Sequence, residues 1–202
     1  MHLLPTQEEI VRVLRDTGAL RYGHFKYPSG LRSNQYIQVP LAMRYYQHAK
    51  MFSVGISRLL RGNPEIRALI PQLSLVAPTI AGLPIAYGLC EALRARQVYW
   101  AESDEDGMPI HFPQFMGPEK GENVVMVDDI LRSGSKFREL RQLLQERGAN
   151  VIALAVTIYE PNPETVEFDE LPIYYLAKVE ATYYGEDEPP EAASIPPEEV
   201  WM

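Results

Sequence analysis

Apolar positions recur along this chain in two alternating rhythms. In residues 7–17 (QEEIVRVLRDT), Ile10, Val11 and Leu14 fall on one face before Gly18, which predicts an amphipathic helix. Residues 23–40 (GHFKYPSGLRSNQYIQVP) then alternate about Pro28-Ser29-Gly30, as two short strands joined by a turn would. Helical spacing returns over residues 44–61, with Met51, Val54, Ile56 and Leu59 among the apolar positions, and stops at Gly62-Asn63-Pro64. LSLVA (73–77) predicts a buried strand leading through Pro78-Thr79 into a helix from about Ile80 to Arg94. Further strands are expected at 97–101, 123–127, 150–159 and 173–179, a hairpin arm at 108–115, and a helix at 135–147 closed by Gly148. Strands alternating with helices of ordinary length imply an α/β fold, with a mostly parallel central sheet flanked by helices. The division expected is a small N-terminal hood over residues 1–40, a core over 41–182, and a tail over 183–202.

Composition sharpens this picture. A chain of 202 residues, 46% hydrophobic, has room for one sizeable core. Cys90 is the only cysteine, so neither an intrachain disulfide nor a Cys cluster for a metal can form. No apolar run reaches membrane-spanning length, and MHLLPTQEEI has no basic start and apolar block, so a cytoplasmic protein is expected. The net charge of −8 is uneven: residues 186–199 (EDEPPEAASIPPEE) carry six acids and no Lys or Arg. The rest holds 21 acids against 19 bases, nearly neutral and without a basic stripe, which argues against nucleic acid as the partner. The tail itself has the Pro/Glu-rich composition of an extended or disordered segment.

The chemistry gathers in residues 124–137, VVMVDDILRSGSKF. An apolar run meets two adjacent acids, Asp128 and Asp129, then a Ser133-Gly134-Ser135 turn at the predicted start of a helix. In parallel sheets, ligands sit beyond the carboxyl ends of the strands. A helix start offers unpaired N–H groups and a positive dipole end to an anion, and Gly134 lets backbone approach closely. The two acids could accept hydrogen bonds from sugar hydroxyls or face hydrated Mg²⁺. A phosphorylated sugar would use both halves. Helix capping alone would account for the serines, but not for two acids ending a buried strand. Neither a Walker A loop nor a G-x-G-x-x-G fingerprint occurs.

VVMVDDILRSGS resembles the phosphoribosyl pyrophosphate signature of type I phosphoribosyltransferases. FKYPSGLRSNQY, VAPTIAGLPIA and the VYWAESDEDGM segment ahead of GENVVMVDD resemble, in order, the base-pocket, pyrophosphate-loop and third-strand segments of the orotate phosphoribosyltransferase family. The resemblance runs from about residue 7 to 158. It implies that Arg132, Ser133, Gly134 and Ser135 wrap a 5′-phosphate, Asp128 and Asp129 face the ribose, and Thr79, Ile80, Ala81 and Gly82 hold pyrophosphate with Mg²⁺. Phe25, Ser29, Gly30 and Ser33 would build the base pocket. Glu102, Lys26 and His111 join the two aspartates as catalytic candidates, with residues 102–118 as a covering loop. By resemblance the protein is a homodimer that joins a base, orotate first, to phosphoribosyl pyrophosphate.

Three positions depart from the pattern. The loop ESDEDGM is acidic where cations would clamp pyrophosphate. Pro28 stands where Lys is frequent, with Lys26 two residues earlier on the same strand face. Tyr159-Glu160 replaces an Asp-Arg pair that contacts orotate, and an acid there would repel a carboxylate. These features favour two alternatives: transfer to another base, or a non-catalytic protein that binds phosphoribosyl pyrophosphate or a nucleotide.

Overall fold

Thr6 opens the first helix, its hydroxyl accepting the Glu9 N–H while the Glu9 carboxylate accepts the Thr6 N–H. This reciprocal cap fixes the start of α1 (Gln7–Asp16), which buries Ile10 and Leu14. The computed structural model describes residues 4–103, 110–168, 170–185 and 196–200. After α1 come β1 (Leu20–Lys26), β2 (Arg32–Ile37), α2 (Pro40–Met43), α3 (Tyr46–Gly62), α4 (Pro64–Leu69), β3 (Ser74–Ala77), α5 (Leu83–Leu93) and β4 (Gln97–Trp100). The short pair β5 (Glu102–Ser103) and β6 (Ile110–His111) precedes β7 (Asn123–Leu131), α6 (Ser135–Glu146), β8 (Asn150–Tyr159), β9 (Ile173–Lys178), β10 (Tyr183–Tyr184) and β11 (Glu198–Glu199).

Strands β4-β3-β7-β8-β9 form a parallel sheet in that order. Its one face buries Leu75, Val125, Val127, Ala153 and Ala155 under α1, α3 and α5. The other face buries Val76, Met126, Leu154 and Val156 against Phe137, Leu140 and Leu144 of α6. Alternate residues of the same strands therefore supply both layers, as a pleated strand covered on each side requires. The chain leaves β3 toward β4 on one side and places β7 on the other. The crevice between the ends of β3 and β7 is thus the switch point of the sheet, where strand order reverses.

The expected α/β class and hood are both present. Two boundaries move. Strand 123–127 runs on to Leu131, because β8 is long enough to keep pairing it through Asp128↔Val156 and Leu131↔Tyr159. The helix expected from Ile80 begins as a single 3₁₀ turn, Ile80–Gly82, and becomes α-helical only at Leu83.

The hood sheet, in the order β10-β2-β1-β11, includes chain from beyond the 182/183 boundary. Tyr183 pairs with Ser33, Glu198 with Phe25, and the Val200 N–H donates to the Lys26 carbonyl at 3.0 Å. Val200 then packs into a cluster with Phe25 and Tyr27. Residues 186–195 and Trp201 lie outside the described residues. Deleting residues 186–202 should leave the five-stranded sheet folded and lower Tm by roughly 3–6 °C. The loss is one buried valine side chain, about 1.5 kcal/mol, with a short edge strand. Differential scanning calorimetry checks this; a fall well beyond that range would mean that the tail carries part of the core.

Candidate functional site

The switch-point crevice holds a cavity of about 790 Å³. Three segments build most of it: Thr79–Ala81 after β3, Ala101–Ser103 after β4, and Asp128–Phe137 across the end of β7 and the start of α6. The hood closes the remaining wall with Tyr36, Ile37, Gln38 and Pro40.

At the α6 end, Gly134 occupies the N-cap with φ +74° and has no side chain to cap the helix; the Ser135 N–H donates to Ser133 Oγ at 3.4 Å. The first intrahelical bond runs from the Arg138 N–H to the Gly134 carbonyl, 2.9 Å. The amides of Ser135, Lys136 and Phe137 therefore have no acceptor within the helix. No acid stands in the first turn, where helices usually carry one, and Lys136 lines the cavity there. The Ser133 and Ser135 hydroxyls lie 3.1 Å apart. A helix start of this kind can receive an anion. The loop after β8 braces it: Thr165 Oγ1 donates to the Arg132 carbonyl and the Val166 N–H to the Ser133 carbonyl, both at 2.7 Å.

A Cβ at Gly134 would stand 2.9 Å from the Phe168 ring, on a backbone that L side chains rarely adopt. Gly134→Ala should cost roughly 1–3 kcal/mol and weaken inorganic phosphate binding at least about tenfold. Thermal melts and phosphate titration read the two effects; unchanged phosphate affinity would exclude this loop as the anion site.

Asp128 and Asp129 stand beside that end. The Asp129 N–H donates to Asp128 Oδ1 at 2.9 Å. Burial and the neighbouring Asp129 charge hold the Asp128 carboxyl well above its ordinary range. Burial also raises Asp129, against the opposing pull of Asp128 hydrogen bonding and Arg132. The protein thus carries two acids that lack enough positive charge beside them, an environment improved by hydroxyl donors or a hydrated cation. Gly82 approaches from the other side: a Cβ there would lie 2.8 Å from Asp128 Oδ1 and 3.1 Å from the Val127 carbonyl oxygen. Only glycine lets the Thr79–Gly82 turn come that close.

Arg132 takes a direction that its place in the motif does not suggest. Its Nε donates to Glu160 at 2.6 Å and its Nη2 to the Ile37 carbonyl. Its guanidinium lies 5.4 Å from the centre of the Tyr27 ring and 5.3 Å from that of Tyr36. Glu160 is fully buried, and its other oxygen accepts from Gln35 Nε2 at 3.0 Å. Burial alone would lower the Arg132 pKa, but Glu160 and the two tyrosines more than offset it. Tyr27 itself is pushed up to about 12, chiefly by burial. The Arg132 backbone belongs to the loop between β7 and α6, while its charged head is tied to Glu160 and the hood.

Of the expected residues, the fold brings Thr79, Ile80, Ala81, Glu102, Asp128, Asp129, Arg132, Ser133, Gly134 and Ser135 to the cavity wall. Gly82 backs Asp128 from behind. The base-pocket candidates do not line it. Phe25 and Ser33 point into the hood interior, Phe25 with its ring 5.8 Å from that of Tyr36, while Ser29 and Gly30 form the β1–β2 turn. Lys26 pairs with Arg32 and Glu199 within the hood sheet. His111 is exposed on β6, opposite Glu102, whose carboxylate accepts from Trp100 Nε1. The acids Asp104, Glu105 and Asp106 of the covering loop lie outside the described residues. Tyr36, the last residue of the expected base-pocket segment, does reach the wall, turned there by the alternation along β2 that buries Ser33 and Gln35; Ile37 and Gln38 were missed from sequence.

No protein-family model matches the chain. Curated relatives do. An orotate phosphoribosyltransferase of Carboxydothermus hydrogenoformans is 30% identical over 93% of this chain and 94% of its own length. Orotate phosphoribosyltransferase 2 of Mesorhizobium japonicum is 34% identical over 94% of each. Among solved structures, orotate phosphoribosyltransferase from Aeropyrum pernix superposes with a TM-score of 0.66 at 20% identity, covering 84% of this chain and 93% of that one. UMP synthase of Leishmania donovani gives 0.67 at 19% identity, covering 87% of this chain and 37% of that larger one. These structural likenesses bear on the fold alone.

Proposed function

The chain belongs to the orotate phosphoribosyltransferase family, and from that premise we propose that it transfers the 5-phosphoribosyl group of phosphoribosyl pyrophosphate to orotate. The products are orotidine 5′-phosphate and pyrophosphate, a step of pyrimidine synthesis. The bond from ribose C1′ to the pyrophosphate oxygen breaks, its electron pair leaving with pyrophosphate. The orotate ring nitrogen forms the new bond to C1′ and loses its proton. The observation that carries this reading is the cavity at the sheet's switch point, which joins a glycine-led helix start to the partly buried Asp128 and the buried Asp129.

The residues divide the work by charge. The 5′-phosphate sits on the amides of Ser135 to Phe137 with the Ser133 and Ser135 hydroxyls and Lys136. Asp128 and Asp129 accept hydrogen bonds from the ribose hydroxyls, which fixes C1′ in line between leaving group and base. The Thr79–Gly82 turn supplies backbone N–H groups to the pyrophosphate. Mg²⁺ bound with the pyrophosphate would neutralise the leaving group, with Asp128 and Asp129 facing its water shell. The like charge of the aspartate pair fits such an ion. We also propose a cytoplasmic homodimer; exposed Tyr46 and Tyr87, on the packed helices α3 and α5, suit a subunit contact. No helix among the described residues is long and apolar enough to cross a membrane.

Pyrophosphate release with phosphoribosyl pyrophosphate, Mg²⁺ and each candidate base tests the reaction. Release with orotate is expected. Release only with another base would move the substrate, and calorimetric binding without release would make the protein a sensor. Glu160, expected from sequence to repel orotate, has both its oxygens taken by Arg132 and Gln35 and does not line the cavity.

A further inference from the structure

We infer that Arg132 recognises the acidic group of the acceptor base, and that Glu160 is its positioning residue; this rests on the transfer reaction proposed above. Arg132 lines the cavity where the hood strand β2 closes it with Tyr36 and Ile37. Its Nε and Nη2 hold the guanidinium against Glu160 and the Ile37 carbonyl. Nη1 carries two further N–H donors and takes no acceptor among the described residues. Arg132 thus lines the cavity as a planar cation fixed on two of its nitrogens, 5.3 Å from the centre of the Tyr36 ring, with donors to spare.

Glu160 does not cancel this recognition, because a ligand cannot reach it. It is fully buried, with one oxygen on Gln35 and the other on Arg132. Its effect is to hold Arg132 in one rotamer and keep it charged. The 5′-phosphate does not need this group, since the helix start and Lys136 already provide for an anion. What remains is the base. Orotate differs from uracil by a carboxylate next to the ring nitrogen that attacks, and a planar guanidinium matches a carboxylate in shape and charge. Holding that carboxylate would aim the nitrogen at C1′. A single site would thus join specificity to alignment.

The test compares the full-length wild type with Arg132→Gln/Glu160→Gln, which keeps a hydrogen-bonded side-chain pair without charge. The KM for orotate should rise roughly 10–100-fold, the worth of a charge-assisted hydrogen bond, while the KM for phosphoribosyl pyrophosphate stays within about twofold. Arg132→Lys, with charge but no fork, should raise the orotate KM less. Equal rises for both substrates, or a rise for phosphoribosyl pyrophosphate alone, would overturn the assignment in favour of a structural or phosphate role. A wild type that releases no pyrophosphate with orotate would defeat the reaction and leave this point open to direct reading. Calorimetric titration of orotate in the presence of phosphoribosyl pyrophosphate then decides it: affinity lost in the double variant supports Arg132, and equal affinity overturns it.

Discussion

Replacing Asp128 and Asp129 together by asparagine should lower kcat/KM roughly 10²–10⁴-fold while leaving the protein folded. Each carboxylate is expected to accept a hydrogen bond that strengthens with its charge, worth about 1.5–3 kcal/mol. Two such losses give that range. Asparagine has nearly the same shape, so Gly82 keeps its close approach to position 128. The same change should stabilise the free protein, because it removes two adjacent acids, one buried and one partly buried, that ionise at a cost. The sign follows from linkage. Both carboxyls have folded pKa values above the ordinary 3.8, so the folded state holds protons that the unfolded chain has released. Their contribution to stability is fully present below the ordinary value and is lost as pH rises through the raised values. The wild type should therefore fall behind the double variant in Tm as pH climbs from 4 to 7, by about 1 kcal/mol or roughly 2–4 °C. Paired melts across that range measure it. A variant that melts earlier at pH 7, or that keeps its sugar-phosphate affinity, would show that the aspartates serve the fold and not the ligand.

Glu160→Leu should destabilise the protein by roughly 3–5 kcal/mol, equivalent to a Tm lower by about 6–20 °C. The carboxylate is completely buried and is the partner of both Arg132 and Gln35. Removing it strands a guanidinium and an amide in a low-dielectric setting. Coulomb attraction alone would not justify so large a figure, because desolvation offsets most of the gain from a buried pair. The cost comes from the charge left behind. Arg132→Met in the Glu160→Leu background should accordingly recover most of the loss, since no charge is then left unpaired. Chemical denaturation of the three variants closes the cycle. Additive losses, with no recovery in the double variant, would mean that Arg132 and Glu160 act independently.

These two expectations concern residues that were legible to different degrees. Asp128, Asp129 and the Ser133–Ser135 turn lie within eight residues of one another. An apolar strand, two acids and a glycine before a helix already imply an anion site beside hydroxyl acceptors. Nothing distant is needed to read it. The parallel sheet was legible for a similar reason, since each strand-helix unit carries its own periodicity. The helix start at Thr6 is written in a four-residue cap.

The direction of Arg132 was not legible. Its neighbours in sequence suggested a phosphate ligand, whereas its partners are Glu160 at the end of β8, Ile37 in the hood and two hood tyrosines. Glu160 read by itself looked like a repulsive charge facing the base. Each of the two, taken alone, would be a costly buried ion; together they satisfy one another, and only the packing of hood on core brings them within 2.6 Å. The same holds for the hood strands, where alternation marks two faces but not which one meets the cavity. Folding turned Phe25 and Ser33 inward and left Tyr36 at the wall, and it added residues 198–200 to the edge of β1. Local pattern determined the elements and the anion loop, because capping and periodicity act within a few residues. Tertiary structure decided the partners of the buried charges and the hood wall of the cavity, because burial penalties are settled only between segments that the fold brings together.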